Sequence, residues 1–407
     1  MIAVSHSTGN EFVRALLRTL EKEGLLARFF TTLKAPDEKW ARLLPRGMRE
    51  QMARRNFDLP DAKIAVRPMR EVARLAGKAA GIGLLARHEH GWASLDAVYR
   101  DLDGAVAAWV TQTKERISAV HCYEDGAEQT FQAAKDRGIQ CVYELPIAYW
   151  EKAHAILNEE AKRLPGWEPT LFSTRDSREK LERKTRELEL AEIVICPGRF
   201  VLDSLPENIR ASKKCVIASF GSPELPAAEH RAEPRNKLRV LFAGAMTQRK
   251  GLADLFAAMK MQDRRDVELV VMGGPILPMD FYKEQYPDFI HEPPRSHTAV
   301  MRLMQECDVL ALPSLVEGRA LVQQEGLACG LPLIVTANAG GEDLVDEGMT
   351  GFLVPIRSPE KLAEKIGWFT GHRESLPKMR EAAKRKAAEY RWEAYAEAII
   401  HAGDWQT

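Results

Sequence analysis

Two carboxylates and two cations are the side chains whose types and spacing could do chemistry. Glu317 and Glu325 lie eight positions apart in EGRALVQQEGLACGLPLIVT, residues 317–336. That spacing is slightly more than two helical turns, so a continuous helix would put both acids on one face. Gly318 argues against such a helix, because glycine is unfavourable in a helix interior. The residues instead predict a loop ending at Glu317, a helix opening near Ala320, and Glu325 one to two turns inside it. Glu317 would then look across the mouth of a helix whose free N–H groups attract anions. The cations are Arg249 and Lys250 in LRVLFAGAMTQRKG, where an apolar run ends at Gly244. Adjacent Arg and Lys in a loop after a strand suit a diphosphate: Arg grips two oxygens at once and Lys adds a point charge. Taken singly, the Arg–Lys pair also reads as solvated charge at a helix start, and the two acids as helix-entry charges.

Elements that could position these groups alternate along the chain. Short apolar runs such as MIAVSH, AVHCY, CVYELPI, IVICP, CVIASF, LRVLFAG, VELVVMGG, DVLALPS and LPLIVT predict buried parallel strands. Amphipathic segments such as EFVRALLRTLEKEG and TFQAAKDRG lie between them, with Gly24 and Gly138 as helix stops. Strand, helix, strand, repeated through both halves, predicts an α/β fold of open parallel sheets covered on both faces. Ligands in such sheets bind beyond the carboxyl ends of the strands, which is where Gly9, Gly244 and the Gly273-Gly274 turn fall.

The chain has 407 residues, too many for one ordinary core. A stretch at 222–237 with three prolines and many charges reads as a linker. Lys plus Arg equals Asp plus Glu at 58 each, so no overall charge calls for nucleic acid. Six scattered cysteines without a CxxC pair suggest reduced thiols in a cytosolic protein. No run of about 18 apolar residues suggests a membrane span, and MIAVSHSTGN is too soon polar for a signal peptide.

Together the motifs resemble the nucleotide-sugar module of retaining GT-B glycosyltransferases of family four. LPSLVEGRALVQQEGLACGLPLIVTANAGGEDLVDEGMTGFLVP carries the Glu-x7-Glu hallmark at Glu317 and Glu325 after the Pro313-Ser314 turn. The resemblance is specific from about Leu238 to Val354 and looser in the first half, at VHCYEDGA, ELPIAYW and ELAEIVICPGRFVLDSL. It implies a GT-B fold of two Rossmann-like domains whose parallel sheets face each other across a cleft. Residues 1–222 would bind the acceptor and 236–385 the donor, while 386–407, with RWEAYAEAIIHAGDW, would cross back onto the first domain.

By the same resemblance, Gly244, Arg249 and Lys250 would hold the diphosphate of a nucleotide sugar. Gly318 and the backbone N–H groups of Leu321 and Val322 would assist. Glu325 would accept from the ribose hydroxyls. Glu317 would orient the sugar and stabilise positive charge on its ring. Protein cations would make a metal unnecessary, and no cofactor is implied. UDP-sugars stand first as donors and GDP-mannose next. The acceptor is not encoded in any readable motif.

Three residues depart from the family pattern. Ala245 stands where an arginine usually follows the strand-end glycine, so Arg249 must substitute. His-x-His is replaced by His121 and Tyr123, so either the Tyr123 hydroxyl or His121 faces the donor sugar, unless His121 is a core histidine. Gly198 replaces a common serine. Gly9, Glu124 and Asp125 are candidates on the acceptor side. Asp101-Leu102-Asp103 resembles a metal-binding DxD, but it sits in a helical pattern without a partner ligand.

From Arg42 to Arg100 twelve Lys or Arg face six Asp or Glu, a net of +6. This stretch reads as a helical insertion shaping the acceptor cleft, or as a surface for peripheral contact with the inner face of a membrane. A nucleotide-sugar epimerase using Glu124 and Asp125, or an inactive partner-binding module, are the alternatives to transfer. A nicotinamide dehydrogenase is disfavoured, because no GxGxxG follows MIAVSH or LRVLFAG.

Overall fold

The computed structural model describes residues 1–36, 52, 55–224 and 236–405. The core of the expected linker, 225–235, lies outside the described residues, as do 42–51, 53 and 54 of the basic stretch.

Each half folds around its own parallel sheet. The first comprises β1 (Ile2–Ser5), β2 (Leu26–Thr31), β3 (Ile64–Val66), β4 (Ala119–Tyr123), β5 (Gln140–Glu144), β6 (Ile193–Cys196) and β7 (Lys214–Ile217). Their order across the sheet is β3-β2-β1-β4-β5-β6-β7. The second comprises β8 (Leu238–Ala243), β9 (Val267–Met272), β10 (Ile290–Glu292), β11 (Val309–Leu312), β12 (Leu333–Val335) and β13 (Gly351–Leu353). Its order is β10-β9-β8-β11-β12-β13. The central strands are buried along their whole length, which is why their sequences are mostly apolar without alternation, with Ser5, His121 and Arg239 as buried polar exceptions.

The two sheets share one topological feature that locates function. Strand order reverses between β1 and β4, and again between β8 and β11. The crevice outside the carboxyl ends of the strands at such a switch point is where ligands bind in open α/β sheets.

Among the described residues, a helix and a turn are two of the segments that tie the halves together. Helix Trp392–Ala402 returns to the first domain, where Tyr395, Ile399 and Ile400 join the core that holds Leu16 and Leu20. The Tyr395 hydroxyl donates to both Glu144 oxygens at 2.8 Å, and Trp405 Nε1 donates to Gln140 at 3.0 Å. In the other direction, the turn Pro165–Thr170 leaves the first half and enters the second core. Trp167 packs there on Phe281 and Tyr282, with ring centroids 5.0 and 5.6 Å apart. A buried aromatic of that size contributes a few kcal/mol, of order 2–3.

Candidate functional site

The cations and the carboxylate meet at the β8/β11 switch point. After β8 the chain passes Gly244 (φ 146°) into the short turn Gln248–Lys250. A side chain on Gly244 would lie 2.8 Å from Lys250 Cδ, so the glycine leaves room for the lysine to run back over the strand end. Gln248, fully buried, fixes the turn from beneath. Its backbone N–H donates to Thr170, its side-chain amide to Glu160 and Asp254, and its Oε1 accepts from Ala253.

After β11 the Pro313-Ser314 turn leads into the loop that ends at Glu317. The loop is braced by the 337–340 turn: Glu317 N–H donates to the Asn338 carbonyl, and Asn338 Nδ2 donates to the Leu315 carbonyl at 2.7 Å. Helix Leu321–Ala328 then begins, with Ala320 as its extended cap and Leu321 and Val322 in its first turn. This is the loop-then-helix arrangement that Gly318 suggested.

Glu317 closes an ionic triad. Its Oε1 lies 2.5 Å from Lys250 Nζ and 3.0 Å from Arg249 Nη1. Arg249 Nη1 also donates to the Val316 carbonyl at 2.8 Å. Burial alone would raise the Glu317 pKa. Lys250 and then Arg249 outweigh it, bringing the carboxyl down to about 2. Glu317 is therefore ionised at neutral pH, with Lys250 and Arg249 aimed at it beside a helix N-terminus.

Glu325 is not part of the triad. One turn into the helix, it lies 3.2 Å from His297 Nε2.

Arg319, two positions after Glu317, carries no signal in the sequence beyond its adjacency to the motif. It is buried, with Nη1 2.8 Å from both Asp343 oxygens and its guanidinium 4.8 Å over the Tyr390 ring.

The first domain reaches this loop directly. Ile147 and Gly318 form an antiparallel bridge, and the Ala148 N–H donates to the Glu317 carbonyl at 3.4 Å. A side chain at Gly318 would collide with the Pro146 carbonyl at 1.7 Å. Gly318 is thus a point of close approach between the domains.

At the β1/β4 switch point His121 and Tyr123 project from the same face of β4. His121 is fully buried, with Nε2 2.9 Å from Glu144, the carboxylate that also receives Tyr395. Burial first, then the nearby Glu144 charge, pushes the Tyr123 hydroxyl well above its ordinary range. That hydroxyl makes no well-aligned hydrogen bond.

His6, at the end of β1, packs edge-on against Tyr123 with centroids 4.6 Å apart. Its Nδ1 accepts from the Thr8 and Gly9 N–H groups. Burial, then His121 and Arg55, lower its pKa to about 3, so the ring is neutral at pH 7 and keeps Nε2 as a donor. Gly9 has its Cβ space filled by the Phe57 ring at 2.1 Å, which gives it a packing role.

Glu124 and Asp125 are drawn into a network with helix Arg178–Leu190. Lys184 Nζ lies 3.4 Å from Glu124 and 3.7 Å from Asp125, and Arg183 lies 3.5 Å from Asp125. The Asp101/Asp103 pair is split. Asp101 pairs with Arg67 at 3.0 Å, while Asp103 is buried and accepts from the Gln129 and Thr130 N–H groups, capping helix Glu128–Lys135. Among the described residues, His88, Glu89 and Asp176 could offer three ligand atoms within 4.8 Å of one another. Lys180 already lies 2.9 Å from Asp176.

Known proteins share this architecture. Residues 227–386 match the family model described as Glycosyl transferases group 1. An uncharacterized glycosyltransferase of Methanocaldococcus jannaschii is 27% identical over 209 residues, 49% of this chain and 56% of its own length. The match thus spans about half of that relative. Sucrose-phosphate synthase from Thermosynechococcus elongatus superposes with a TM-score of 0.69 at 17% identity, over 98% of this chain and 97% of that one. HepE from Anabaena, solved in complex with UDP, superposes with a TM-score of 0.58 at 14% identity over 98% of both chains.

The fold is GT-B, and the match to group 1 glycosyl transferases lies in residues 227–386.

Arg249, Lys250, Glu317 and Glu325 all fall within the matched residues; His6, His121 and Tyr123 fall outside them. Three positioning groups escaped the sequence reading. Gln248 and Arg319 do their work through contacts with residues distant in the chain. His6 did have a signal, a histidine at the carboxyl end of the first apolar run.

Proposed function

We propose that the chain is a cytoplasmic, retaining glycosyltransferase that moves a sugar from a nucleoside diphosphate sugar to an acceptor held against its first domain. The observation that carries this reading is the Arg249–Lys250–Glu317 triad at the β8/β11 switch point. When the bond from the anomeric carbon to the bridging phosphate oxygen breaks, negative charge grows on the diphosphate and positive charge on the ring. Two fixed cations stabilise the first, and an ionised carboxylate beside them stabilises the second. In the free chain the cations are satisfied by Glu317. An arriving diphosphate takes them over and leaves the carboxylate to the sugar hydroxyls. Glu325 accepts from the ribose. Tyr123 is the group assigned to the sugar on the other side of the cleft, while His121, fully buried on Glu144, packs edge-on against the Tyr123 ring.

UDP-sugars are the favoured donors, supported by HepE, a fold neighbour solved with UDP. Metal independence follows from the same two cations, which supply the charge that Mg²⁺ would otherwise bring. Epimerisation is the weaker reading, because it needs a free acid–base pair, and Glu124 and Asp125 are held by Lys184 and Arg183. Contact of the basic first-domain stretch with a membrane surface belongs to the same reading.

The test is thermal melting with UDP, UDP-glucose, GDP and GDP-mannose, each with and without EDTA. At a hundredfold excess over Kd a ligand adds about 2.7 kcal/mol. A rise with the uridine compounds that survives EDTA supports the reading. No rise with any of the four, or one that EDTA abolishes, refutes it.

A further inference from the structure

A surface helix in a globular domain turns its apolar side inward. Helix Met69–Ala79 does the reverse. Its buried residues are Glu71 and Gly77, and Glu71 is held there by Arg55 at 2.5 Å and Arg74 at 2.7 Å. Met69, Val72, Ala76 and Ala79, three and four positions apart, face outward, with Met69 68% exposed.

The following turns continue this character. Ile82 and Trp92 are about half exposed and Leu84 is 78% exposed. Of fourteen exposed large apolar side chains among the described residues, seven lie between Val66 and Leu95. The segment is one unit: Arg70 stacks 4.9 Å over the Trp92 ring, and the Ala93 N–H donates to the Leu85 carbonyl at 2.9 Å.

Charge completes the pattern. From Ile64 to Leu95 there are five Lys or Arg and two Glu, a net of +3 in a chain whose total is zero. One of the two acids, Glu71, is buried and neutralised. Lys78 and Arg87 are exposed and make no ion pair among the described residues.

We propose that this excursion of the first domain is a docking surface for an anionic lipid layer. Met69, Val72, Leu84 and Trp92 enter the interfacial zone, and Lys78 and Arg87 meet the headgroups. Trp92, with an apolar ring and a polar edge, suits that depth. No helix among the described residues is long and apolar enough to cross a membrane, so the contact is with its surface. The proposal deepens the membrane contact in the reading above and gives it residues and a lipid charge, independently of which sugar is transferred.

The test is co-sedimentation of the full chain with vesicles of phosphatidylcholine alone and of phosphatidylcholine with phosphatidylglycerol. UDP affinity and mass by light scattering are measured on the same samples. The wild type is expected to bind the anionic vesicles, less so at high salt, and to leave the neutral ones. The exposed-site pair Lys78→Glu and Arg87→Glu should weaken binding by more than about tenfold, at about fivefold for each cation removed. Met69→Asp with Leu84→Asp should weaken it by at least as much, with UDP affinity unchanged in both variants. A wild type that ignores anionic vesicles, or variants that bind them as it does, overturns the proposal. So does a wild-type dimer that Leu84→Asp separates, which would make the face a contact between copies. Vesicle binding without UDP binding would sink the donor reading and leave the docking surface standing.

Discussion

Replacing Glu317 by Gln removes the charge that Lys250 and Arg249 share. The carboxyl titrates at about 2 against an ordinary 4.5, although burial opposes this. That gap, at about 1.4 kcal/mol per pKa unit, corresponds to about 3 kcal/mol of stability at pH 7. The folded pKa is the lower one, so the contribution is complete above the unfolded value of 4.5 and fades as pH falls towards 2. By pH 3 about half of it remains. Glu317→Gln should therefore melt about 6–12 °C below the wild type at pH 7, taking a domain of this size to lose about 2–4 °C per kcal/mol. The difference should shrink markedly by pH 3. The freed cations should bind UDP at least as well as before, while single-turnover transfer falls by about a hundredfold or more, the scale for one lost electrostatic stabiliser. Equal melting temperatures at pH 7, or a gap that persists unchanged at pH 3, would refute the ionic triad. Lost UDP affinity would refute the division of labour between Glu317 and the cations.

Glu325→Gln should weaken UDP and UDP-sugar alike by about 1–3 kcal/mol in calorimetry, because an amide offers the ribose a donor where it needs an acceptor; an unchanged affinity places the ribose elsewhere. Tyr123→Phe removes a hydroxyl that makes no well-aligned hydrogen bond, so stability should hold within about 0.5 kcal/mol while turnover drops and UDP affinity stays. Full activity in that variant would make Tyr123 a packing residue. Asp103→Ala removes a helix cap and should cost about 1–2 kcal/mol in denaturant melts. Mn²⁺ that stabilises the wild type but not this variant would instead make Asp101-Leu102-Asp103 a metal site.

Most strands that were legible in the sequence are buried on both sides, although β7, read from CVIASF, is a partly exposed edge strand. β8, β9 and β11 each hold a run of four apolar residues, VLFA, LVVM and VLAL, buried along its whole length. β2 escaped notice because Arg28 interrupts LARFFT; its guanidinium lies 3.2 Å from Glu115 and over the Trp109 ring. β3, β10 and β13 are three-residue outer strands, too short to register as apolar runs.

The grouping of Arg249, Lys250 and Glu317 was legible because its parts are local: a strand-end glycine, adjacent cations, and an acid ahead of a helix. Long-range pairing was not. The links from Glu325 to His297 and from Arg319 to Asp343 cross elements whose packing only the fold reveals. Nor did the sequence hint that Glu124 and Asp125 would be neutralised by a helix some 60 residues later.

Titration calorimetry of UDP into the wild type and Lys250→Ala at pH 7, with EDTA present, tests the central claim most directly. The account predicts that the wild type binds UDP without added metal. It also predicts that loss of the Lys250 charge weakens binding by roughly 1.5–3 kcal/mol, about 10- to 150-fold. Equal affinity in the two proteins, or a wild type that binds no UDP, would contradict it.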